Sequence, residues 1–199
     1  MKIALFGGTF NPPHMGHIRL ANAVIREMKP DIFLLMPAGL PPHKAMPETS
    51  ASNEERYEMA LLAAGDIPGA VVSRLELDRK GASYTSDTLL TLRERYPGDE
   101  LILVVGGDMF LTLDQWHEAK TIFALASIAA APRSHAERET IAARAAYYEA
   151  TYGARVTILK NPVVEISSSE IRTVLGKERK PHLLSRPVAD YIERKGLYK

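Results

Sequence analysis

The fold is decided by the opening of the chain, where residues 1–17 read MKIALFGGTFNPPHMGH. The apolar run at 3–6 is typical of a short buried strand, and the glycines and prolines after it predict a turn. His14 and His17 lie three residues apart on the helix that this turn is predicted to open. A strand, a glycine-rich turn and a helix in this order indicate the first βα unit of an α/β fold.

The turn and the helix start form a candidate phosphate site. Backbone N–H groups at the start of a helix attract phosphate, and glycines let the chain approach it closely. The two imidazoles can steady the charge that develops when a phosphorus atom is attacked. Many βα turns carry glycine only for steric reasons, and a single histidine there usually caps or packs. The whole string together predicts that a nucleoside triphosphate binds here.

Short apolar segments alternate with segments of helical period along most of the chain. Several apolar segments lack polar alternation, as expected where helices cover both faces of a parallel sheet. We predict an α/β fold, a doubly wound, Rossmann-like parallel sheet with helices on both faces. The predicted strands are 2–6, 31–36, 70–74, 100–106, 127–131 and 155–159, and the predicted helices are 15–28, 53–64, 85–96, 114–125 and 135–152. The last helix, rich in Ala, Arg and Glu, is predicted to be amphipathic and solvated.

The length suits a single domain, 1–199, that buries a proper core. We predict an α/β sheet core at 1–166 and a small C-terminal helical subregion at 167–199, with helical pieces at 168–175 and 187–194. The proline-rich segment 37–52 is predicted to be a loop long enough to cover a ligand.

Composition and charge narrow the class of protein. The 199 residues carry 25 basic and 24 acidic side chains, and the net charge of +1 gives no footprint for nucleic acid or a membrane surface. There is no cysteine, which excludes disulfides, thiolate metal sites and thiol catalysis. His135 and His182 lack the spaced partners of a metal site. Without a secretory signal or a long apolar segment we expect a cytoplasmic protein, and a homo-oligomer is compatible with the sequence.

The opening motif carries a family resemblance. Gly8-x-Phe10-x-Pro12-x-His14-x-Gly16-His17 resembles the signature of the HxGH nucleotidyltransferase superfamily, which moves a nucleoside monophosphate onto an acceptor phosphate. The resemblance implies that His14 and His17 contact the phosphates of the bound triphosphate and stabilise the transition state.

The same resemblance makes Ile166-Ser167-Ser168-Ser169-x-x-Arg172 a second phosphate clamp. Independently of the family, these serines are typical of a helix N-cap, where hydroxyl and backbone N–H groups can meet an anion. Arg172, one turn later, can bind two phosphate oxygens at once. An ordinary capped helix is the alternative for this segment in isolation.

Three further segments narrow the resemblance to nicotinate mononucleotide adenylyltransferases. They are Ser83-Tyr84-Thr85-Ser86-Asp87-Thr88-Leu89, Gly106-Gly107-Asp108-Met109 with Trp116-His117, and Pro41-Pro42-His43-Lys44. Thr85 opens a predicted helix, whose positive end favours a carboxylate over a neutral amide. Trp116 can stack on a cationic pyridinium ring. A plain helix cap and a packing tryptophan are the alternatives.

The resemblance implies a set of site residues. Catalytic roles fall on His14, His17, Arg172 and Lys44. ATP-binding roles fall on Gly7, Gly8, Thr9, Phe10, Gly16, His17, Gly106, Asp108, Ile166, Ser167, Ser168 and Arg172. Roles toward nicotinate mononucleotide fall on Asn11, Lys44, Tyr84, Thr85, Trp116 and, through its backbone N–H, His117. Asp108 can equally cap a helix, and Lys44 can be an ordinary solvated lysine.

The implied reaction is attack of the acceptor's 5′-phosphate on the α-phosphorus of ATP, with no covalent enzyme intermediate. That nucleophile is already ionised at neutral pH, so no general base is needed. We expect Mg²⁺ on the triphosphate, held mainly by phosphate and water, and no protein metal site. A related transferase using nicotinamide mononucleotide, phosphopantetheine or a cytidylyl group, and a non-catalytic nucleotide-binding module, remain as alternatives. The chain departs from the family at Asn11, often aspartate, and at Gly107, usually alanine.

Overall fold

Six parallel strands form one sheet in this computed structural model, which describes residues 1–42, 46–47, 49–132, 134–160, 166–175 and 181–198. The strands are β1 (Lys2–Gly8), β2 (Ile32–Pro37), β3 (Ala70–Val72), β4 (Glu100–Gly106), β5 (Ala126–Ala131) and β6 (Val156–Ile158). Their spatial order is β3-β2-β1-β4-β5-β6. The chain therefore winds outward from β1 in one direction and then returns to its other side, which confirms the predicted doubly wound α/β fold.

The sheet opens at its carboxyl edge between β1 and β4. β1 pairs with β2 as far as Gly8, which lies opposite Pro37. On its other side β1 pairs with β4 only as far as Leu5, which lies opposite Leu103. The ends of the two central strands part where the strand order reverses, and this is where α/β sheets hold their ligands.

The helices largely follow the predicted bounds. They are α1 (Met15–Met28), α2 (Asn53–Ala64), α3 (Thr85–Arg95), α4 (Gly107–Leu111), α5 (Ala119–Leu125), α6 (His135–Tyr152), α7 (Ser168–Leu175) and α8 (Arg186–Lys195), with short 3₁₀ turns at Leu113–Gln115 and Pro181–Leu183. The helix predicted over 114–125 is wrong in its first half. There a 3₁₀ turn is followed by Glu118 with φ of 51°, and α5 begins only after it.

The two faces of the sheet carry separate hydrophobic clusters. Ala4 and Phe6 point to the face covered by α1, α2, α7 and α8. Ile3 and Leu5 point to the face covered by α3, α5 and α6. The C-terminal helices thus pack into the same cluster as α1, which brings the last part of the chain next to the first turn.

Helix α6 is amphipathic, as predicted, with a largely exposed outer face. Its inner face buries Ile141, Ala145 and Tyr148 against the second cluster. The Tyr148 hydroxyl donates to the carbonyl of Phe110 at 2.8 Å, which satisfies the polar end of the buried ring. Within the described ranges, no helix combines the length and apolar character needed to cross a bilayer.

Candidate active site

A cavity of about 480 Å³ occupies the opening between β1 and β4. Its walls come from the ends of both strands, the first turn of α1, the starts of α3, α4 and α7, and the segment before α5. Most of the predicted site residues line it: Gly7, Gly8, Thr9, His14, Gly16, His17, Thr85, Gly106, Asp108, Trp116, Ile166, Ser167 and Ser168.

The two histidines form one stacked unit on this cavity. Their ring centroids are 3.7 Å apart, and the backbone N–H of His14 donates to Nδ1 of His17 at 3.1 Å. Because Nδ1 of His17 accepts, its proton is on Nε2, which becomes a donor toward the cavity. Nδ1 of His14 is buried without a hydrogen-bond partner.

Burial keeps both imidazoles neutral in the free protein. It lowers the pKa of His14 to about 4. Burial also lowers the pKa of His17 well below its ordinary value, and repulsion from His14 adds to this. At neutral pH the pair therefore offers N–H donors rather than two fixed cations. An oxyanion in the cavity would favour protonation, since a nearby negative charge raises the pKa of an imidazole.

Two neighbours explain how the histidine pair is held. A Cβ on Gly16 would lie 3.0 Å from Cε1 and Nδ1 of His14, so the ring occupies the space that a side chain would take. Phe10 packs edge-on against His17, with centroids 5.0 Å apart, and it adopts the left-handed region with φ of 47°. Phe10, predicted to bind ATP, is 2% exposed, and it lines a smaller pocket beside the main cavity together with His17.

The second predicted clamp lies directly against the first. Ser168 donates from Oγ to the carbonyl of Pro12 at 3.1 Å. Arg172 donates to the carbonyl of Asn11 at 2.7 Å and to Oγ of Ser169 at 3.1 Å. The start of α7 therefore meets the loop before α1, although more than 150 residues separate them. Arg172 lines a smaller adjoining pocket of about 170 Å³, which also includes Thr9, His17 and Ser168.

Asn11, predicted to contact the acceptor, has its side chain engaged within the protein. It is 2% exposed. Its Oδ1 accepts from the hydroxyl of Tyr198 at 2.7 Å and from the N–H of Ala51 at 3.2 Å. Its Nδ2 donates to Oγ of Ser50 at 3.0 Å. Asn11 thus acts as the junction between the turn, the segment before α2 and the chain's last residues.

The opposite end of the cavity is built around the start of α3. Thr85, the first residue of α3, lines it together with Trp116. Just before α3, Oγ of Ser83 accepts from the N–H groups of Gly39 and Leu40 at 2.9 and 3.3 Å, which ties the loop after β2 to this wall.

Two further predicted acceptor residues, Tyr84 and His117, adjoin Thr85 and Trp116 in sequence. The rings of Tyr84 and His117 pack together with centroids 4.1 Å apart, and neither residue lines the cavity. Lys44 lies outside the described residues.

The start of α4 includes Gly107, one of the two positions where the chain departs from the family pattern. A Cβ on Gly107 would lie 2.5 Å from Oε1 of Glu137, so the Glu137 carboxylate occupies the space of the alanine methyl usual in the family. Asp108 follows at the cavity wall, with Oδ1 3.2 Å from where a Cβ on Gly106 would stand.

The sequence reasoning missed Glu76. This carboxyl lines the cavity beside Ser83 and Thr85, is 5% exposed, and accepts from Oγ1 of Thr88 at 2.8 Å. Burial raises its pKa to about 7. Its neighbours in sequence alternate between polar and apolar residues, so nothing local distinguishes it from a surface acid.

In the described part of the chain no three His, Asp or Glu side chains converge as a metal site would require. The groups on the phosphate side of the cavity are backbone N–H, imidazole and hydroxyl, with a guanidinium in the adjoining pocket. These are donors suited to oxyanions.

The family model described as cytidylyltransferase-like matches residues 5–174, so the chain belongs to this family of nucleotidyltransferases. Two proteins named probable nicotinate-nucleotide adenylyltransferase resemble it over its whole length. The one from Thermus thermophilus is 40% identical and the one from Exiguobacterium sibiricum 35%, covering 100% of this chain and 100% and 99% of theirs. Within the family, the chain therefore belongs to the nicotinate-nucleotide adenylyltransferases.

Solved structures support the same fold. Plasmodium falciparum nicotinic acid mononucleotide adenylyltransferase matches in complexes with APC and with NaAD, at TM-scores of 0.79 and 0.81. The matches cover 99% of this chain and 96% and 97% of those chains, at 18% and 19% identity. At this identity the likeness establishes the shared architecture.

Proposed function

We propose that this protein transfers the adenylyl group of ATP to nicotinate mononucleotide, giving deamido-NAD and pyrophosphate as a step of NAD biosynthesis. The observation that carries the proposal is the meeting of the two phosphate clamps. His14 and His17 share one cavity with Ile166, Ser167 and Ser168, and Arg172 lines the adjoining pocket.

The arrangement supports direct transfer between two bound anions. The acceptor's phosphate is mostly ionised at neutral pH and needs no base to remove a proton. What the reaction requires is that two anions be held together and that the charge developing on the phosphates be offset. The neutral His17 donates from Nε2, while Arg172 and the N–H groups at the start of α7 add positive potential.

Mg²⁺ would accompany ATP in this site. The donors on the phosphate side bind oxygen rather than metal, which fits an ion held by the triphosphate and by water. Bound there, Mg²⁺ neutralises phosphate charge, and the protein residues supply the remaining donors.

The acceptor's ring is assigned to the far end of the cavity. The N-terminus of α3 at Thr85 favours the nicotinate carboxylate, and Trp116 offers a face for the pyridinium ring. Asp108, at the start of α4, is positioned to accept from a ribose hydroxyl. Lys44 is retained as a candidate contact to phosphate. We assign the reaction to the cytoplasm, where ATP is available.

The proposal is tested by following pyrophosphate in mixtures of the purified protein, ATP and Mg²⁺ with one acceptor at a time. Nicotinate mononucleotide is expected to give the fastest release, ahead of nicotinamide mononucleotide and phosphopantetheine. A faster rate with another acceptor would reject the substrate while keeping the chemistry. Nucleotide binding without pyrophosphate from any acceptor would reject the transferase activity altogether.

A matched pair of variants tests the role of the histidine unit. His17→Ala is expected to lower kcat by about a hundredfold, because it removes a donor to the transition state. His182→Ala, on an exposed 3₁₀ turn, is the control and should keep the wild-type rate. Equal rates for the two variants would contradict the assigned role.

A further inference from the structure

Glu76 is a buried carboxyl that faces the acceptor end of the cavity. It lies on the segment between β3 and α3 and lines the wall together with Ser83 and Thr85. Its Oε1 accepts from Thr88, which belongs to the first turn of α3. The side chain is therefore attached to the same helix start that is assigned to the substrate's carboxylate.

The backbone around Glu76 leaves it little room to move away. A Cβ on Gly39 would lie only 2.5 Å from the carbonyl oxygen of Glu76, so the loop after β2 packs directly on its main chain. That loop is fixed in turn by the hydrogen bonds from Gly39 and Leu40 to Ser83. The Glu76 carboxyl is thus held at a fixed place in the cavity wall.

Burial and neighbouring groups act on Glu76 in opposite directions. Burial raises its pKa to about 7, while the hydrogen bond from Thr88 and the charge of Arg79 each lower it. Arg79 also donates to Oγ1 of Thr88 at 3.0 Å, which orients that hydroxyl toward the carboxyl. Other titratable groups on the described elements around it include Asp78 and Lys80 on its own segment, Tyr84 and Asp87 at the start of α3, Asp108 on α4, His117 before α5, and Arg56, which donates to the carbonyl of Gly39.

We propose that Glu76 is a specificity-determining residue that sets the preference between acid and amide substrates: when ionised, it opposes the nicotinate carboxylate bound near Thr85. This inference rests on the proposed function. The acid and amide mononucleotides share the pyridinium ring, ribose and phosphate, and they differ by one negative charge. An ionised Glu76 therefore weakens binding of the acid relative to the amide, whatever its effect on the shared groups.

The test compares the dissociation constants of the two mononucleotides, measured by titration calorimetry from pH 6 to pH 8.5. Titration of the shared phosphate affects both ligands and cancels in the amide-to-acid ratio of dissociation constants. The comparison with Glu76→Gln then separates Glu76 from His117, which belongs to the same end of the cavity. In the wild type the ratio is expected to fall on the order of tenfold as the pH rises through 7. In Glu76→Gln the ratio should stay constant and high.

Two further variants separate this charge effect from a structural one. Glu94→Gln makes the same change on an exposed part of α3 and should follow the wild-type curve. Thr88→Val removes a hydrogen bond that favours the ionised carboxyl of Glu76. The fall in the amide-to-acid ratio of dissociation constants should therefore occur at a higher pH in this variant.

Each outcome decides the proposal. A wild-type ratio that does not change with pH would overturn it, even if Glu76→Gln fails to fold. A fall that persists in folded Glu76→Gln would also overturn it. If nicotinate mononucleotide does not bind at any pH, the proposed function fails first, and that result differs from binding with a constant ratio.

Discussion

Tyr198, the last described residue, donates its hydroxyl to Oδ1 of Asn11 at 2.7 Å, 187 positions away in the sequence. The carbonyl of Asn11 accepts from Arg172, and its side chain also binds the segment before α2. The turn that presents His14 and His17 is therefore held by contacts from the far end of the chain. A site on the first seventeen residues depends in this way on the C-terminal helices.

Removing the Tyr198 hydroxyl should loosen this junction. Tyr198→Phe leaves Oδ1 of Asn11 with the N–H of Ala51 alone, in a buried environment. We expect the free energy of unfolding in urea to fall by about 1 kcal/mol. Tyr57→Phe is the control, since the Tyr57 ring packs on Arg74 at the surface and keeps that contact without its hydroxyl. Equal stability of both variants would show that the hydrogen bond from Tyr198 to Asn11 does not contribute to the free energy of unfolding.

The neutral histidines predict how stability changes with pH. The pKa of His14 is about 4 in the folded protein and near its ordinary 6.5 when unfolded. Between these values the unfolded state binds more protons, so this residue costs the folded state stability as the pH falls from 6.5 toward 4. As the pH falls through that window, the free energy of unfolding of His14→Gln should therefore rise relative to that of the wild type by up to about 3 kcal/mol, as measured by urea unfolding.

The control for this titration is His182→Gln, at an exposed position, which should track the wild type. The comparison must be made between variants because Glu76 works in the opposite direction. Because the pKa of Glu76 is higher in the folded state, the folded state binds more protons at this residue than the unfolded state does. The stability that this protonation contributes is lost as the pH rises toward 7. A constant difference between His14→Gln and the wild type would contradict a buried neutral His14.

The sequence predicted those features that depend on local pattern. The bounds of α1, α2, α6 and α7 match the predicted ones. Start signals help at two of them: Ser52 accepts from the N–H of Glu55, and Ser134 accepts from the N–H of Glu137. The nearness of His14 and His17 to Arg172 was also predicted, because the family resemblance implies that both motifs bind the same triphosphate. The comparisons confirm that family.

Other features depend on contacts that no local pattern reveals. The helix predicted over 114–125 is interrupted at Glu118, which has a positive φ. Glutamate rarely adopts this conformation, so its residue type does not indicate a turn here. The burial of Glu76 and Arg56 depends on which loops close over them. The role of Asn11 as a junction follows from Tyr198, which the sequence gives no reason to pair with it. Contacts between residues that are distant in sequence, rather than local propensity, determine the structure at these positions.

Arg56 is a buried cation that connects the two loops of the site. It is 0% exposed and donates to the carbonyls of Thr9 and Gly39 at 2.7 and 3.2 Å, and to Oδ1 of Asn53 at 2.6 Å. Arg56→Met would remove the guanidinium that holds these three acceptors together and would leave the Thr9 and Gly39 carbonyls without this donor. We expect the free energy of unfolding to fall by about 2 to 4 kcal/mol, together with higher KM values for ATP and the acceptor.

Arg19→Met provides the comparison for Arg56, because Arg19 lies on the exposed side of α1. This variant should stay within about 0.5 kcal/mol of the wild type. If Arg56→Met is as stable as Arg19→Met and keeps both KM values, the guanidinium does not support the two loops.

Two glycines offer a paired test of close packing at the site. A Cβ would lie 2.5 Å from the carbonyl oxygen of Glu76 at Gly39, and 2.5 Å from Oε1 of Glu137 at Gly107. The first obstacle is backbone and cannot move alone, whereas the second is the end of a flexible side chain. Gly39→Ala should therefore lower the free energy of unfolding by about 1 to 3 kcal/mol. Gly107→Ala should change it by less than about 1 kcal/mol, because alanine also favours the helix. Urea unfolding of both variants measures the difference. If both variants lose the same free energy of unfolding, the loop after β2 shifts to accommodate a Cβ as easily as the Glu137 carboxylate does.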